Sequence, residues 1–166
     1  MRLADLVEIL AAFEAAHVRY LIVGGYAVIG HGHVRTTLDL DLVVDLEGDQ
    51  PGRVVAVLDQ LGYRPRAPVP LADFANSERR RAWLEDKGAQ VFTVVRGDGI
   101  AHSEVDVFLQ YPFAFAEAYA AATVIDLPDG TPMRIVDIER LKAMKRAAAR
   151  PQDLGDLAAL DAMDAE

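Results

Sequence analysis

The chain has 166 residues, a net charge of −9, 52% apolar residues and no cysteine. That length and apolar content suit one domain with a substantial core and exclude a disordered chain. The missing cysteines exclude a disulfide framework and a zinc–thiolate site, and the acidic balance excludes a broadly basic nucleic-acid surface.

No run approaches the roughly 18 to 20 apolar residues of a membrane helix. Asp5 and Glu8 interrupt the N-terminal apolar pattern, which makes it a poor secretory signal. A cytoplasmic protein without a membrane partner is the expectation. Positive charge is uneven, concentrated in Arg79-Arg80-Arg81 and in the segment from Arg134 to Arg150.

Taken in chain order, Leu3 to Ala16 carries apolar residues at helical spacing, with Asp5, Glu8 and Glu14 mostly on the other face. Tyr20-Leu21-Ile22-Val23 has no polar member in its main run and reads as a strand covered on both faces. Gly24-Gly25 stops it, and Tyr26 to Ile29 reads as a short helix opening from that turn. A helix start presents unpaired N–H groups and suits phosphate. A second strand runs through Asp39-Leu40-Asp41 to Val44. Side chains on a strand alternate, so both carboxylates project from one face. Two adjacent like charges call for a cation, and paired carboxylates suit Mg²⁺.

Asp45 to Pro51 is a polar turn, followed by an amphipathic helix from Val54 to Leu61 that ends at Gly62. Tyr63 to Pro70 holds three prolines and reads as a loop. Leu71 to Lys87 is helical, breakable at Asn76 or Ser77, with Gly88 as its stop. Arg79-Arg80-Arg81 reads as a solvated helix face and Trp83 as core packing. Gln90 to Val95 is a strand, Arg96 to Gly99 a hairpin turn, and Ser103 to Leu109 the next strand. On that strand Asp106 and Glu104 share a face. Pro112 to Ala122 reads as a helix and Thr123 to Leu127 as a short strand. Pro128-Asp129-Gly130 is a turn, and Thr131 to Val136 a final or edge strand, given Pro132. Asp137 caps a helix, with Arg140 where a capping-box glutamate would sit. Pro151 breaks that helix and a last one restarts at Gln152 or Asp153, giving a C-terminal helical pair over about 137–163. The fold class is therefore α+β (mixed α/β): one domain over residues 1–166, with a mixed twisted sheet flanked by helices.

The stretch GGYAVIGHGHVRTTLDLDLVV, from Gly24 to Val44, resembles the nucleotidyltransferase superfamily that includes DNA polymerase beta and the aminoglycoside nucleotidyltransferases. Gly24-Gly25 and Asp39-Leu40-Asp41 stand where that family has its Gly-Gly or Gly-Ser turn and its Asp-x-Asp strand. The fuller pattern of Gly25, Ala27, His31, Gly32, Arg35, Thr37, Asp39 and Asp41 is most similar to the AbiE-type toxin branch and other minimal nucleotidyltransferases. The tail from Leu141 to Leu157, with Lys142 and Lys145 before Arg150-x-x-Asp153-x-x-Asp156, resembles the same branch. The segment from about Glu47 to Lys87 carries no part of the likeness.

The resemblance implies the nucleotidyltransferase fold and transfer of a nucleoside monophosphate from a nucleoside triphosphate to an acceptor hydroxyl. It implies two Mg²⁺, or Mn²⁺, held by Asp39, Asp41 and a third carboxylate that also serves as base. Asp106 is the choice for that third acid, ahead of Glu104. It implies that Gly24, Gly25, Arg35, Thr37 and one of Lys142 and Lys145 bind the nucleotide. Arg35 either orients the acids or grips phosphate; Thr37 either caps the turn or bonds the acids. Asp153 and Asp156 would hold the last two helices together. His31 and His33 are expected to bond backbone rather than metal. The acceptor is RNA, a partner protein or a small molecule, and in a toxin-like setting a cognate antitoxin would be a partner. The alternative is a non-catalytic nucleotide- or partner-binding module that keeps the fold.

Overall fold

The computed structural model describes residues 1–97 and 102–163. Helix α1 (Leu3–Ala15) leads to strand β1 (Tyr20–Val23), which passes directly into α2 (Gly24–Gly30). Strand β2 (Asp39–Val44) follows, then α3 (Gln50–Gln60), with Pro51 in its first turn. A two-residue strand β3 (Arg64–Pro65) precedes a 3-10 turn at Leu71–Ala75 and α4 (Ser77–Lys87). The remaining elements are β4 (Val91–Arg96), β5 (Ser103–Phe108), α5 (Phe115–Ala120), β6 (Thr123–Asp126), β7 (Pro132–Ile135), α6 (Ile138–Ala148) and α7 (Pro151–Met163).

The described strands form one seven-stranded mixed sheet in the order β3-β4-β5-β2-β1-β7-β6. Strand β2 pairs antiparallel with β1 and parallel with β5, placing it at the centre. All four residues of β1 are buried, as its unbroken apolar run requires. Tyr20 satisfies its hydroxyl on the Pro132 carbonyl at 2.8 Å, while its ring meets Phe13 of α1 at 5.7 Å. The buried N-terminal side of α1 is tied to β4 through Asp5, which accepts from Arg2 at 2.8 Å and from Arg96 at 2.9 Å.

Local chemistry sets both ends of α4 and the start of α6. The Asn76 side chain accepts from the N–H groups of Glu78 and Arg79, and Gly88 closes α4 in the left-handed conformation at φ +61°. Asp137 caps α6 by accepting from the Arg140 N–H at 3.1 Å. The Arg140 guanidinium returns to the Asp137 carboxylate at 2.8 Å, an ion pair replacing the absent glutamate.

Four expectations need correction. Tyr63 to Pro70 is not wholly loop, because Arg64 and Pro65 pair with Val95 and Val94 at the sheet edge. The helix expected over Pro112 to Ala122 is confined to Phe115–Ala120, since Pro112 and the residues after it do not enter a helical turn. Strand β7 is not an edge: it lies between β1 and β6, and Pro132 occupies its first position. Arg80 is not solvated but buried, donating to the Phe74 carbonyl at 2.6 Å with its guanidinium 5.6 Å from the Phe74 ring. The turn expected at Arg96 to Gly99 lies partly outside the described residues. No described helix is long and apolar enough to cross a membrane.

Candidate active site

Register alone assembles the acids. In the β1–β2 pair Val23 faces Asp41, and in the β2–β5 pair Asp41 faces Asp106. Asp39 precedes Asp41 by two and shares its face. The three partly buried carboxylates each bring an oxygen within 4.8 Å of the others, the sole such group among the described residues. Glu104 sits opposite Asp39 in the register but is drawn into an ion pair with Arg66, with the His102 ring 3.6 Å away.

The diglycine turn lets this cluster close. Gly24 has φ +62°, and a Cβ there would lie 1.9 Å from Asp41 Oδ2. No other residue type can occupy that position without displacing the carboxylate. A Cβ at Gly25 would lie 2.3 Å from Thr37 Oγ1 and 2.6 Å from Arg35 Nη2. The two glycines thus receive the acid strand on one side and its lead-in loop on the other. The Thr37 hydroxyl lies 3.3 Å from both the backbone carbonyl and the Oδ1 of Asp39, within reach of both roles open to it, the turn and the acids.

The acids lack compensation. Burial first, then the charges of Asp39 and Asp106, push Asp41 up to about 7; Arg150 and Lys145 act only partly against this. Burial also raises Asp106, against a 2.5 Å hydrogen bond from Thr93 Oγ1. An all-oxygen donor set of three close carboxylates, one of them driven toward its neutral form, fits a hard divalent cation such as Mg²⁺ or Mn²⁺.

Asp41 and Asp106 open onto a cleft of about 630 Å³ whose walls include Gly24, Arg140, Lys145 and Arg150. Lys145 is buried, with its Nζ 2.6 Å from Asp156 and 3.4 Å from Asp153. Those two aspartates thereby tie α6 to α7. Arg150 donates to Asp153 at 2.7 Å while its side chain stays 76% exposed at the cleft.

Two of the residues expected at the nucleotide form ion pairs with α7. Lys142 reaches Asp161 at 2.8 Å and is not part of the cleft wall. Arg35 does not salt-bridge Asp39 or Asp41; its guanidinium is 2.8 Å from Asp156. Gln152, with its carboxamide oxygen toward Arg35, accepts from Nη1 at 2.7 Å and Nη2 at 3.1 Å. His31 bonds the Val136 carbonyl at 2.8 Å and takes no part in the acid cluster.

Sequence reading missed Arg140, Arg150 and Thr93. Arg150 stood in the tail pattern, but its approach to the acids depends on Ala149, which turns the chain between helices at φ +50°. Thr93 carries no signal without the β4–β5 register that sets it opposite Asp106.

Solved structures similar to this chain include the solution structure of the antibiotic-resistance factor ANT(2'')-Ia, at 19% identity, covering 95% of this chain and 83% of that one, with TM-score 0.60. The crystal structure of ANT(2'')-Ia in complex with adenylyl-2''-tobramycin matches at 17% identity over 95% and 86%, with TM-score 0.57. The lincosamide antibiotic adenylyltransferase LnuA, bound to lincomycin, matches at 14% identity over 97% of both chains, with TM-score 0.62. The chain has the nucleotidyltransferase fold. No family model matches the sequence, and no curated protein does. At these identities the likeness reaches the nucleotidyltransferase fold and stops short of the acceptor.

Proposed function

We propose that this chain is a metal-dependent nucleotidyltransferase that moves a nucleoside monophosphate from a nucleoside triphosphate to an acceptor hydroxyl. The observation that carries the reading is the convergence of Asp39, Asp41 and Asp106 beside a glycine that only an absent side chain could allow. Asp39, Asp41 and Asp106 would hold the divalent ions. When bound, such ions neutralise phosphate charge and make a hydroxyl a better nucleophile.

This chain's own groups account for the rest. The backbone at Gly24 and Gly25 gives the triphosphate close approach to the main chain. Lys145 and Arg150, on the cleft wall with Asp41, offset the charge of the polyphosphate. Arg35 and Thr37 act at one remove: Arg35 fixes Asp156, which positions Lys145, and Thr37 orients Asp39. In the transfer, the acceptor oxygen forms its bond to the α-phosphorus, the bond to pyrophosphate breaks, and Asp106 receives the hydroxyl proton. Positioning and charge neutralisation supply most of the rate, as in phosphoryl transfer generally.

Similarity to the AbiE-type branch supports a toxin-like setting with a cognate antitoxin, while the solved structures are of antibiotic-modifying enzymes. Incubating the full chain with labelled nucleoside triphosphates and cell lysate tests the activity and sorts acceptors by class. Label should enter an acceptor only with Mg²⁺ or Mn²⁺ present. Label transfer that persists in a chelator would refute the metal role, and no transfer from any triphosphate would favour the binding module.

A further inference from the structure

The cleft at the acids has an apolar end, and the sheet fixes which end that is. Val23, Asp41 and Asp106 face one another in register across β1, β2 and β5, so β2 separates the Gly24 turn from Asp106. Phe108 follows Asp106 by two on β5 and lies on the same face, and Val91 of β4 pairs with Phe108. Both line the cleft that holds Asp41 and Asp106. Pro112 and Phe113 wall it from the segment after β5, and Leu141 and Met144 wall it from α6. Phe108, Phe113 and Met144 are half-buried: each packs on the core and keeps part of its surface for the cleft.

In-line displacement sets the attacking and leaving oxygens on opposite sides of the phosphorus. With the triphosphate against the Gly24 turn and the proton passing to Asp106, the acceptor hydroxyl enters from the β5 side. Its body then lies over Phe108 and Val91. The charges state what that body is not. Among the described residues, the acids lining the cleft are Asp41 and Asp106, which would hold the ions, and Asp153, whose oxygens are met by Lys145 and Arg150. The other charged residues of the lining are the cations Arg140, Lys145 and Arg150. A polycation finds no acid there to offset the cost of leaving water. An apolar body gains roughly 25 cal/mol for each Å² that it buries.

We propose that the β5 end of the cleft is the acceptor subsite, and that it takes a hydroxyl carried on an uncharged apolar body in preference to a polyamine. The assignment rests on the nucleotidyl-transfer reading, but binding can be measured without it. The chain has four methionines, so a methyl-labelled methionine spectrum is simple, and the Met144 methyl reports on the cleft wall. The full chain, with Mg²⁺ present to satisfy the acids, is titrated with 2-naphthylmethanol, 2-naphthylmethylamine and the polyamine tobramycin. Saturable movement of the Met144 methyl is expected with the alcohol, about tenfold weaker binding with the amine, and no saturable movement with tobramycin. Phe108→Ala and Phe113→Ala should each weaken the alcohol by on the order of tenfold. Phe113 lies between β5 and α5, outside helix and strand, and keeps the test open should Phe108→Ala fail to fold. No saturable movement with the alcohol, or an amine or tobramycin that binds as tightly, overturns the assignment.

The rival occupant of the apolar end is the nucleobase, and competition tells the two apart. The α,β-methylene analogue of the triphosphate that supports labelling cannot release pyrophosphate. At saturation it should leave the affinity for the alcohol unchanged, and a loss of about tenfold would give that end to the base and overturn the proposal. Where lysate labelling occurs, saturating alcohol should suppress it by about fivefold or more, and labelling left unchanged rejects the acceptor role. Saturable binding of the alcohol without any label transfer to lysate would instead defeat the transfer reading, and the acceptor role with it, while the apolar pocket stands.

Discussion

Two groups of aspartates border the same cleft and differ in what faces them. Asp153 and Asp156 on α7 meet Lys145, Arg35 and Arg150, and every one of those contacts is 3.4 Å or shorter. Asp39, Asp41 and Asp106 on the sheet meet mainly each other. Burial acts against the charge of Asp153, yet the Arg150 hydrogen bonds and nearby Lys145 hold it below the usual carboxylate range. Asp41, also buried, is pushed up to about 7. The same side chain is a clamp where its cations are built in and a ligand site where they are left out. A fold retains an uncompensated acid cluster at a cost in stability, and the ion that relieves it can also do chemistry.

The largest effect should come from neutralising one member of the uncompensated group. Asp41→Asn keeps the shape and is expected to lower nucleotide transfer by on the order of 10³-fold or more. In metal-free protein at neutral pH the same change should leave folding intact or improve it, because a charge opposed by burial has gone. Full transfer activity in this variant would overturn the site. Asp156→Ala should do the reverse. It takes the nearest acid from Arg35, 16% exposed, and from Lys145, 6% exposed, leaving them Gln152 and the more distant Asp153, and should cost about 3 kcal/mol in denaturant unfolding. A loss below about 1 kcal/mol would mean that these cations find water or other partners, and that the clamp is not structural.

Titration sharpens the contrast by about 2 kcal/mol, once solvent access to Asp41 is allowed for. An acid raised in the folded state holds its proton better folded than unfolded. Its stabilising contribution is therefore full below the ordinary carboxylate pKa and is lost as pH climbs to about 7. Asp153, lowered in the folded state, contributes above the ordinary carboxylate pKa and fails as pH falls through its own. Metal-free protein should be most stable at mildly acidic pH, losing stability on both sides. Asp41→Asn should flatten the neutral limb, and Asp153→Asn the acid limb. Mg²⁺ should raise the melting temperature at pH 8 and leave it nearly unchanged at pH 5. An equal Mg²⁺ effect at both values would place the ion elsewhere.

Much of this was legible in the chain because it is local. The β1 run, the diglycine stop and the Asp-x-Asp alternation each need only a few neighbouring residues, and all three stand where the pattern puts them. Asn76 and Gly88 bound α4 by their own backbone chemistry. Partner choice was not legible, because it is settled by distant chain. Arg35 precedes Asp39 by four residues yet pairs across 121 positions with Asp156. Lys142 and Lys145 lie one helical turn apart, but only Lys145 borders the cleft. Arg80 looked like its neighbours Arg79 and Arg81 until the Phe74 carbonyl gave it a buried acceptor. A short strand such as β3 has too little sequence to announce itself and exists because Val94 and Val95 offer an open edge.

The smallest predicted effect concerns Thr93, the β4 neighbour of Asp106. Its hydroxyl donates to Asp106 at 2.5 Å and is a brake on an acid that burial raises. Thr93→Val removes that donor and keeps the branched shape, so Asp106 should hold its proton to higher pH. A neutral hydrogen bond contributes about 1 kcal/mol, or roughly fivefold, and one to a carboxylate somewhat more. Transfer at neutral pH should therefore fall by about five- to tenfold, and the acid limb of its pH profile should move upward. At high pH, where Asp106 is ionised in both proteins, the deficit should shrink. A loss of the same size at every pH would mean that Thr93 acts by packing and not through the Asp106 carboxylate.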